Sequence, residues 1–518
     1  MKNFNNTIRN FVTILVIITI ISTVSGCKQF LDTERQGVYT TENYPYPTGA
    51  GPYDQFLFGA YKDLRGYGVH VTGFFLATSV RSDDADKGST AGDGGADANS
   101  MDTFPVLPSN GIVNGMWVEY LTLINKCNTA LDQIENNKDI VATDAVKLQS
   151  SAEAKFIRGY AYFNMVRFFG RVPLIDKVLT VAQINIPQST PAQIYALIES
   201  DLKFAAANLP ISWDKKFIGR PTSGSANGIL AKVYLTQQKW ALAMSAANLV
   251  MTNGQYDLST PYDKIFGEAG ENSKESVFEI QATASATVQT DNGIQTTQFQ
   301  GVRDGGVWNL GFGWNVPNTN LENAYEAGDP RKARTFLYRN TAATLASPNP
   351  YKTVYGEITA TTWNNPIYNH KAYTNPSFRA AYGYNSGWWM NLRILRYADV
   401  VLMYAEAANE VGGAANTTAS LAALNSVRAR ARNGNAAILP NVVTTDQTAL
   451  RLAIQQERRI ELAMEYDRFF DLVRWGIAQT ALTAAGRPNY NPARDNVLPI
   501  PQTQIDLSKG VLTPNPNY

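Results

Sequence analysis

The chain has 518 residues, of which 44% are hydrophobic and 17% charged, with 45 Lys and Arg against 44 Asp and Glu. That length allows two to four domains and a core that needs no covalent staples. The near-zero charge argues against nucleic acid as a partner, and two histidines and two cysteines leave little stock for metal or triad chemistry.

The chain opens with Lys2 and Arg9, an apolar run from Phe11 to Ile21, and Val24-Ser25-Gly26-Cys27. A charged start, a short apolar run and small residues predict a signal peptide over 1–26. The run is about half the ~20 residues that a spanning helix needs. Small residues just ahead of Cys27 predict lipoprotein cleavage there, with lipid carried on the Cys27 thiol. Cys127 then remains alone, so no internal disulfide forms. Loss of Lys2 and Arg9 with the leader leaves 43 basic against 44 acidic residues, a net charge of about −1.

Residues 27–50 read as a lipidated tether, and 51–281 as a helical scaffold. Phe56, Ala60, Tyr61 and Leu64 share one helical face. The stretch from Arg81 to Pro108 is rich in Asp and Gly and reads as a long polar loop. Helices are predicted over Trp117–Ile134, Ser151–Phe169 (ended by Gly170) and Pro191–Leu209 (capped by Thr190). Ser225–Gln238 and Trp240–Thr252 carry small residues at helical spacing and predict a hairpin of the tetratricopeptide type. The pattern returns at Tyr397–Glu410 and Ser420–Arg432, and a last helix is expected from Ala449 to Trp475. Between them, 282–391 loses the helical period and holds Trp308, Trp314, Trp363, Trp388 and Trp389. This is the pattern of a loop-rich, ligand-binding region resting on a scaffold, and 392–518 is the C-terminal helical scaffold.

Trp308 and Trp314 sit among glycines, which keep rings from being boxed in. Their indole faces suit the axial C–H groups of a sugar ring, with Asn309 and Asn315 placed for its hydroxyls. Trp363 is a further candidate, and Arg81, Asp84 and Asp86 are candidates for bidentate bonds to hydroxyls. Trp240 and Trp475 are expected in the core. Asp83, Asp84, Asp86, Asp93 and Asp97 offer oxygens for Ca²⁺ but fit no EF-hand spacing, so no metal or other cofactor is predicted. Glu457, Glu461 and Glu465 share a helical face with arginines beside them, and read as an ion-pair lattice rather than a glycosidase pair. His70 and His370 have no nucleophile motif near them, and no H-E-x-x-H, G-x-S-x-G or P-loop occurs.

Several blocks together resemble the SusD/RagB family of outer-membrane nutrient-binding lipoproteins. They are Gly26-Cys27 with Phe30-Leu31-Asp32, Ala152 to Tyr160 through Leu174, Arg396 to Ala407, Leu424 to Ala431, Glu457 to Gly476, and Leu498-Pro499-Ile500-Pro501. The resemblance implies an all-α fold with four tetratricopeptide-like hairpins. It implies a cell-surface lipoprotein, anchored in the outer membrane and facing outward, that pairs with a SusC-like TonB-dependent transporter. The protein would bind oligosaccharide without changing it and pass it down for uptake. Some members serve peptides. Other readings are a glycopeptide binder, a protein-docking adaptor without small ligand, and a glycosidase with unmarked carboxylates. The resemblance carries no ligand residues. Members displayed outward often have several acids after the lipidated cysteine, where this chain has Asp32 and Glu34.

Overall fold

A computed structural model describes residues 51–283, 287 and 292–518. The signal peptide, Cys27 and the tether lie outside the described residues. The chain divides into one unit of Met1–Pro52 with Lys138–Val141 and another of Tyr53–Asn137 with Ala142–Tyr518. The segments 53–137 and 142–518 make up the architecture that follows.

Helices form where the apolar period demands them, and their ends follow capping chemistry. The first, α1, is Asp54–Leu64. A short helix α2 is Gly95–Thr103. Next come α3, Gly111–Asn136, and α4, Asp144–Phe169. α3 begins earlier than the apolar pattern suggested because Asn110 accepts a bond from the Val113 N–H at 3.0 Å. α4 ends where Gly170 takes φ 69°, which costs a glycine little. In α5, Pro191–Asn208, Thr190 and Gln193 form a capping box, with Pro191 in the first turn. α6, Ser223–Thr236, and α7, Trp240–Met251, make the expected hairpin, and buried Ala243, Ala246 and Ala247 let the two backbones close in.

Each helix from α3 to α7 packs on the next, and α7 then packs directly on α8, Tyr397–Val411. α8 pairs with α9, Ala414–Arg432, and is covered by α10, Gln447–Glu461. This is the all-α, tetratricopeptide-like scaffold. Because α7 meets α8, the intervening chain leaves the helical stack and returns without breaking it. Strand Ser276–Ile280 on the way out pairs antiparallel with Leu392–Arg396 on the way back, which closes the neck. Trp240 and Trp475, expected in the core, are half-buried at its edge, and the indole N–H of Trp475 donates to Glu406 at 2.9 Å.

Two expectations fail here. The stretch from Arg81 to Pro108 is not a solvated loop. It holds β1, Ala85–Gly88, and α2, and Asp83 and Asp84 are each 2% exposed. Arg468 donates to both oxygens of Asp83 at 2.8 Å, and Arg459 donates twice to Asp84. These partners lie 375 and 385 residues away, beyond any local pattern.

The last helix also does not run from Ala449 to Trp475. It breaks after Glu461 and resumes as α11, Arg468–Arg474. Met464 and Tyr466 take φ of 65° and 71° in the break, a conformation that disfavours large side chains. The break turns Glu465 onto Lys371 and Arg396, each at 2.6 Å.

The three glutamates are an ion-pair lattice, as expected, but their partners come from other elements. Glu457 meets Arg331 and Arg428, and Glu461 meets Arg331, Arg396 and Arg430. Burial alone would raise the Glu461 pKa. Arg430, Arg396 and Arg331 outweigh it and hold the carboxyl at about 2. A carboxylate so neutralised makes a poor catalytic acid.

Candidate functional site

The chain from Gly301 to Gly313 makes a tight excursion. Leu310 and Gly311 N–H both donate to Val302 O, and Gly313 N–H donates to Gly301 O. The Gly311 Cα lies so close to the backbone of α-helical Thr296–Gln300 that an added Cβ would sit 1.9 Å from Gln298 O. Glycine is needed there, and the neighbouring Phe312 ring turns outward, 38% exposed. Its edge meets buried Phe299 at 5.0 Å between centroids.

Tyr67 arises the same way. It follows Gly66 and precedes Gly68, where an added Cβ would sit 2.9 Å from Gly115 O. The Tyr67 ring is 50% exposed and also packs edge-on against Phe299, at 5.7 Å. One buried ring therefore holds two solvent-facing rings. Beside them, Trp388 Nε1 and Gln295 Nε2 both donate to Gln298 Oε1, at 2.9 and 2.8 Å. Arg303, on the same excursion, donates to Ser89 Oγ at 2.6 Å and pairs with Asp93, while its side chain stays 35% exposed. Asp304 accepts from Thr362 Oγ1 at 2.5 Å. The result is a surface with apolar rings, amide edges and an Asp93-paired guanidinium on fixed backbone.

The residues expected from sequence divide. Trp308 is half-buried, resting on Trp363 at 4.9 Å and Tyr373 at 6.3 Å, and Asn309 beside it is exposed. Both remain candidates. Trp314 does not, because it is 6% exposed. It lies on a strand, Trp314–Pro317, that pairs with β1, and its ring packs on Phe75 and Phe299. It pins the loop above it, since a Cβ on Gly94 would meet its ring at 2.4 Å. Asn315 is fully buried and donates to Gln300 at 2.8 Å. Trp363 is fully buried in a satellite core with Leu337, Tyr368 and Tyr373.

Arg81 and Asp84 are withdrawn too. Arg81 is 1% exposed, lies over the Phe469 ring at 4.4 Å and donates to Asp495 O at 2.6 Å. Asp84 is held by Arg459 as above. Asp86 stays at the surface, 53% exposed at its side chain, but is engaged by Arg487 and Asn318.

Tyr67, Phe312 and Arg303 lie outside the tryptophan pattern of the sequence, and nothing local marks Arg303. The signal for the two rings was the Gly-aromatic-Gly triplet, present at both 66–68 and 311–313.

The histidines are structural. Burial pushes both down to about 3, so each is a neutral ring at physiological pH. His70 bridges Leu64 O and the Tyr160 hydroxyl, each at 2.7 Å. His370 lies between Ala333 O at 2.7 Å and the Val354 N–H at 3.0 Å. Among the described residues no group of three or more His, Cys, Asp or Glu is arranged to hold a metal ion.

Comparison with known proteins adds family and fold. A family model described as the SusD family matches residues 274–518. A second, described as starch-binding and associating with the outer membrane, matches residues 84–235. A SusD-like protein of Formosa agariphila is 27% identical over 518 residues, which covers 97% of this chain and 99% of that protein. A solved laminarin binding SusD-like protein superposes with a TM-score of 0.75 at 26% identity, over 90% of this chain and 99% of the other. Surface glycan-binding protein A from Bacteroides thetaiotaomicron, solved in complex with laminarihexaose, gives 0.73 at 24% identity, over 90% and 99%.

Proposed function

Because the chain belongs to the SusD/RagB family, we propose that it is an outer-membrane glycan-binding protein that captures oligosaccharide on the Tyr67 and Phe312 rings. The observation that carries this is the pair of exposed rings fixed by one buried ring. A sugar presents a C–H face to such rings and hydroxyls to polar groups around them. Gln295, Gln298 and Arg303 offer polar groups for those hydroxyls. The laminarin named for one relative makes a β-glucan the first ligand to try. No chemical step is assigned, because the buried carboxylates are saturated with arginine.

The finer parts of the reading follow from the family resemblance. Cys27 carries a lipid anchor, the protein faces outward, and a SusC-like TonB-dependent transporter receives the glycan. Isothermal titration of the protein with laminarin and a panel of other oligosaccharides tests the binding. Heat with at least one glycan, lost in Tyr67→Ala/Phe312→Ala, is the expected result. Absence of heat across glycans, with heat for peptides, transfers the reading to peptide capture. Palmitate labelling that Cys27→Ser abolishes tests the anchor, and copurification of a transporter from membranes tests the partner.

A further inference from the structure

A cleft of about 480 Å³ opens on the helical scaffold, and none of its lining belongs to the loop-rich segment 282–391. Its size falls within the ~300–1,000 Å³ typical of small-molecule sites. One wall is the chain from Ile211 to Thr222. There the Trp213 indole is fixed by an N–H bond to Pro221 O at 2.8 Å and by an edge contact with Phe217 at 5.9 Å. Arg220 lies 5.4 Å from the Trp213 ring centre, and its charge is already met by Asp54 at 2.5 Å and Glu153 at 3.1 Å. The facing wall is Gln255–Tyr256 with the chain from Asn272 to Glu279. Tyr256 and Thr222 tie the walls together through a hydroxyl pair at 2.7 Å.

Most polar groups of the cleft are thus committed, but a subset is not. Ser273 Oγ is buried without a partner among the described residues. The side chains of Gln255 and Ser276, also on the lining, make no hydrogen bond among the described residues either. An unpaired buried hydroxyl costs free energy unless something else answers it. The free groups are hydroxyls, an amide and the exposed Lys274 ammonium, and the guanidinium is neutralised. Hydrogen-bonding groups of this kind suit a hydroxyl-rich ligand. Trp213, with exposed Ile211 and Ile218 at the edge, supplies an apolar face for it.

We propose that this cleft is a second saccharide site, distinct from the Tyr67 and Phe312 rings, taking one or two sugar units. It rests on the reading of the protein as a glycan binder and adds a second point of attachment to a long glycan. The test is isothermal titration of the full chain with laminarihexaose and with other neutral oligosaccharides. Gln255→Trp fills the cleft from its wall. Ser273→Val removes the orphan hydroxyl, a change that should not destabilise the fold, and should weaken the cleft event by about fivefold. Two events per chain are expected, one lost in Gln255→Trp and the other in Tyr67→Ala/Phe312→Ala. A single event in the parent that neither cleft variant alters would overturn the proposal, as would no binding of any saccharide tested. Loss of all binding in the cleft variants alone would uphold the cleft and sink the ring site, so the two assignments fail separately.

Discussion

Replacing Phe312 by alanine separates a ligand-facing ring from the supporting rings beneath it. A phenylalanine side chain offers roughly 200 Å², and Phe312 leaves 38% of its surface exposed. Covering that share with a sugar removes about 75 Å² of apolar surface from water, worth ~2 kcal/mol at about 25 cal/mol per Å². Phe312→Ala should therefore weaken glycan binding by about 30-fold. Its stability loss should be modest, since one edge contact with Phe299 is broken. Trp314→Ala is the contrasting variant. It empties a site between Phe75, Phe299 and the loop at Gly94, and should cost about 3–5 kcal/mol of stability. Titration calorimetry reads the first effect and urea unfolding the second. Unchanged affinity in Phe312→Ala, with the variant folded as the parent, would refute the assignment of this ring to the ligand.

Glu461→Gln should be the more damaging of two lattice substitutions. A carboxyl held at about 2 against an ordinary 4.5 contributes ~3 kcal/mol at neutral pH. Its pKa is depressed on folding, so that stability is complete above about pH 4.5 and disappears as the pH falls toward 2. A urea midpoint that stays flat between pH 5 and pH 3 would contradict this. Glu326→Gln removes the 43%-exposed partner of Arg428 and should cost no more than about 1 kcal/mol, measured the same way. Gly311→Ala should displace the excursion at 301–313, because its Cβ would fall 1.9 Å from Gln298 O. Reduced glycan affinity with intact far-UV circular dichroism is the expected outcome, and parent-like affinity would count against the geometry of that turn.

The helical scaffold was legible in the sequence because its information is local. Apolar spacing and caps such as Thr190 with Gln193 act within one or two turns. The stretch at 81–108 was misjudged because its order depends on partners far along the chain. Asp83 and Asp84 look like loop residues until Arg459 and Arg468 arrive from the other end. β1 exists only through its pairing with Trp314–Pro317, more than 200 residues on. The site was half visible. The Gly-rich run at 305–315 reads as loop in the sequence, but its last two residues, Trp314 and Asn315, belong to a buried strand, and which ring faces out depends on what lies beneath. Trp314 begins the strand and packs inward on Phe75 and Phe299, while Phe312, two residues earlier and outside the strand, is exposed. Residue type favoured tryptophan; backbone crowding at Gly311 favours Phe312.

The pairing of Ser276–Ile280 with Leu392–Arg396 reaches beyond packing. The chain between those strands is also tied to the scaffold elsewhere, by Trp314–Pro317 on β1, Arg331 on Glu457 and Glu461, and Lys371 on Glu465. Exposed turns between those ties can be lengthened or rewritten while α7 stays packed on α8. In a glycan binder, preference can therefore drift in such turns while the tied residues stay under separate selection. Exchanging a single turn such as 301–313 between relatives is the natural way to trade one appetite for another.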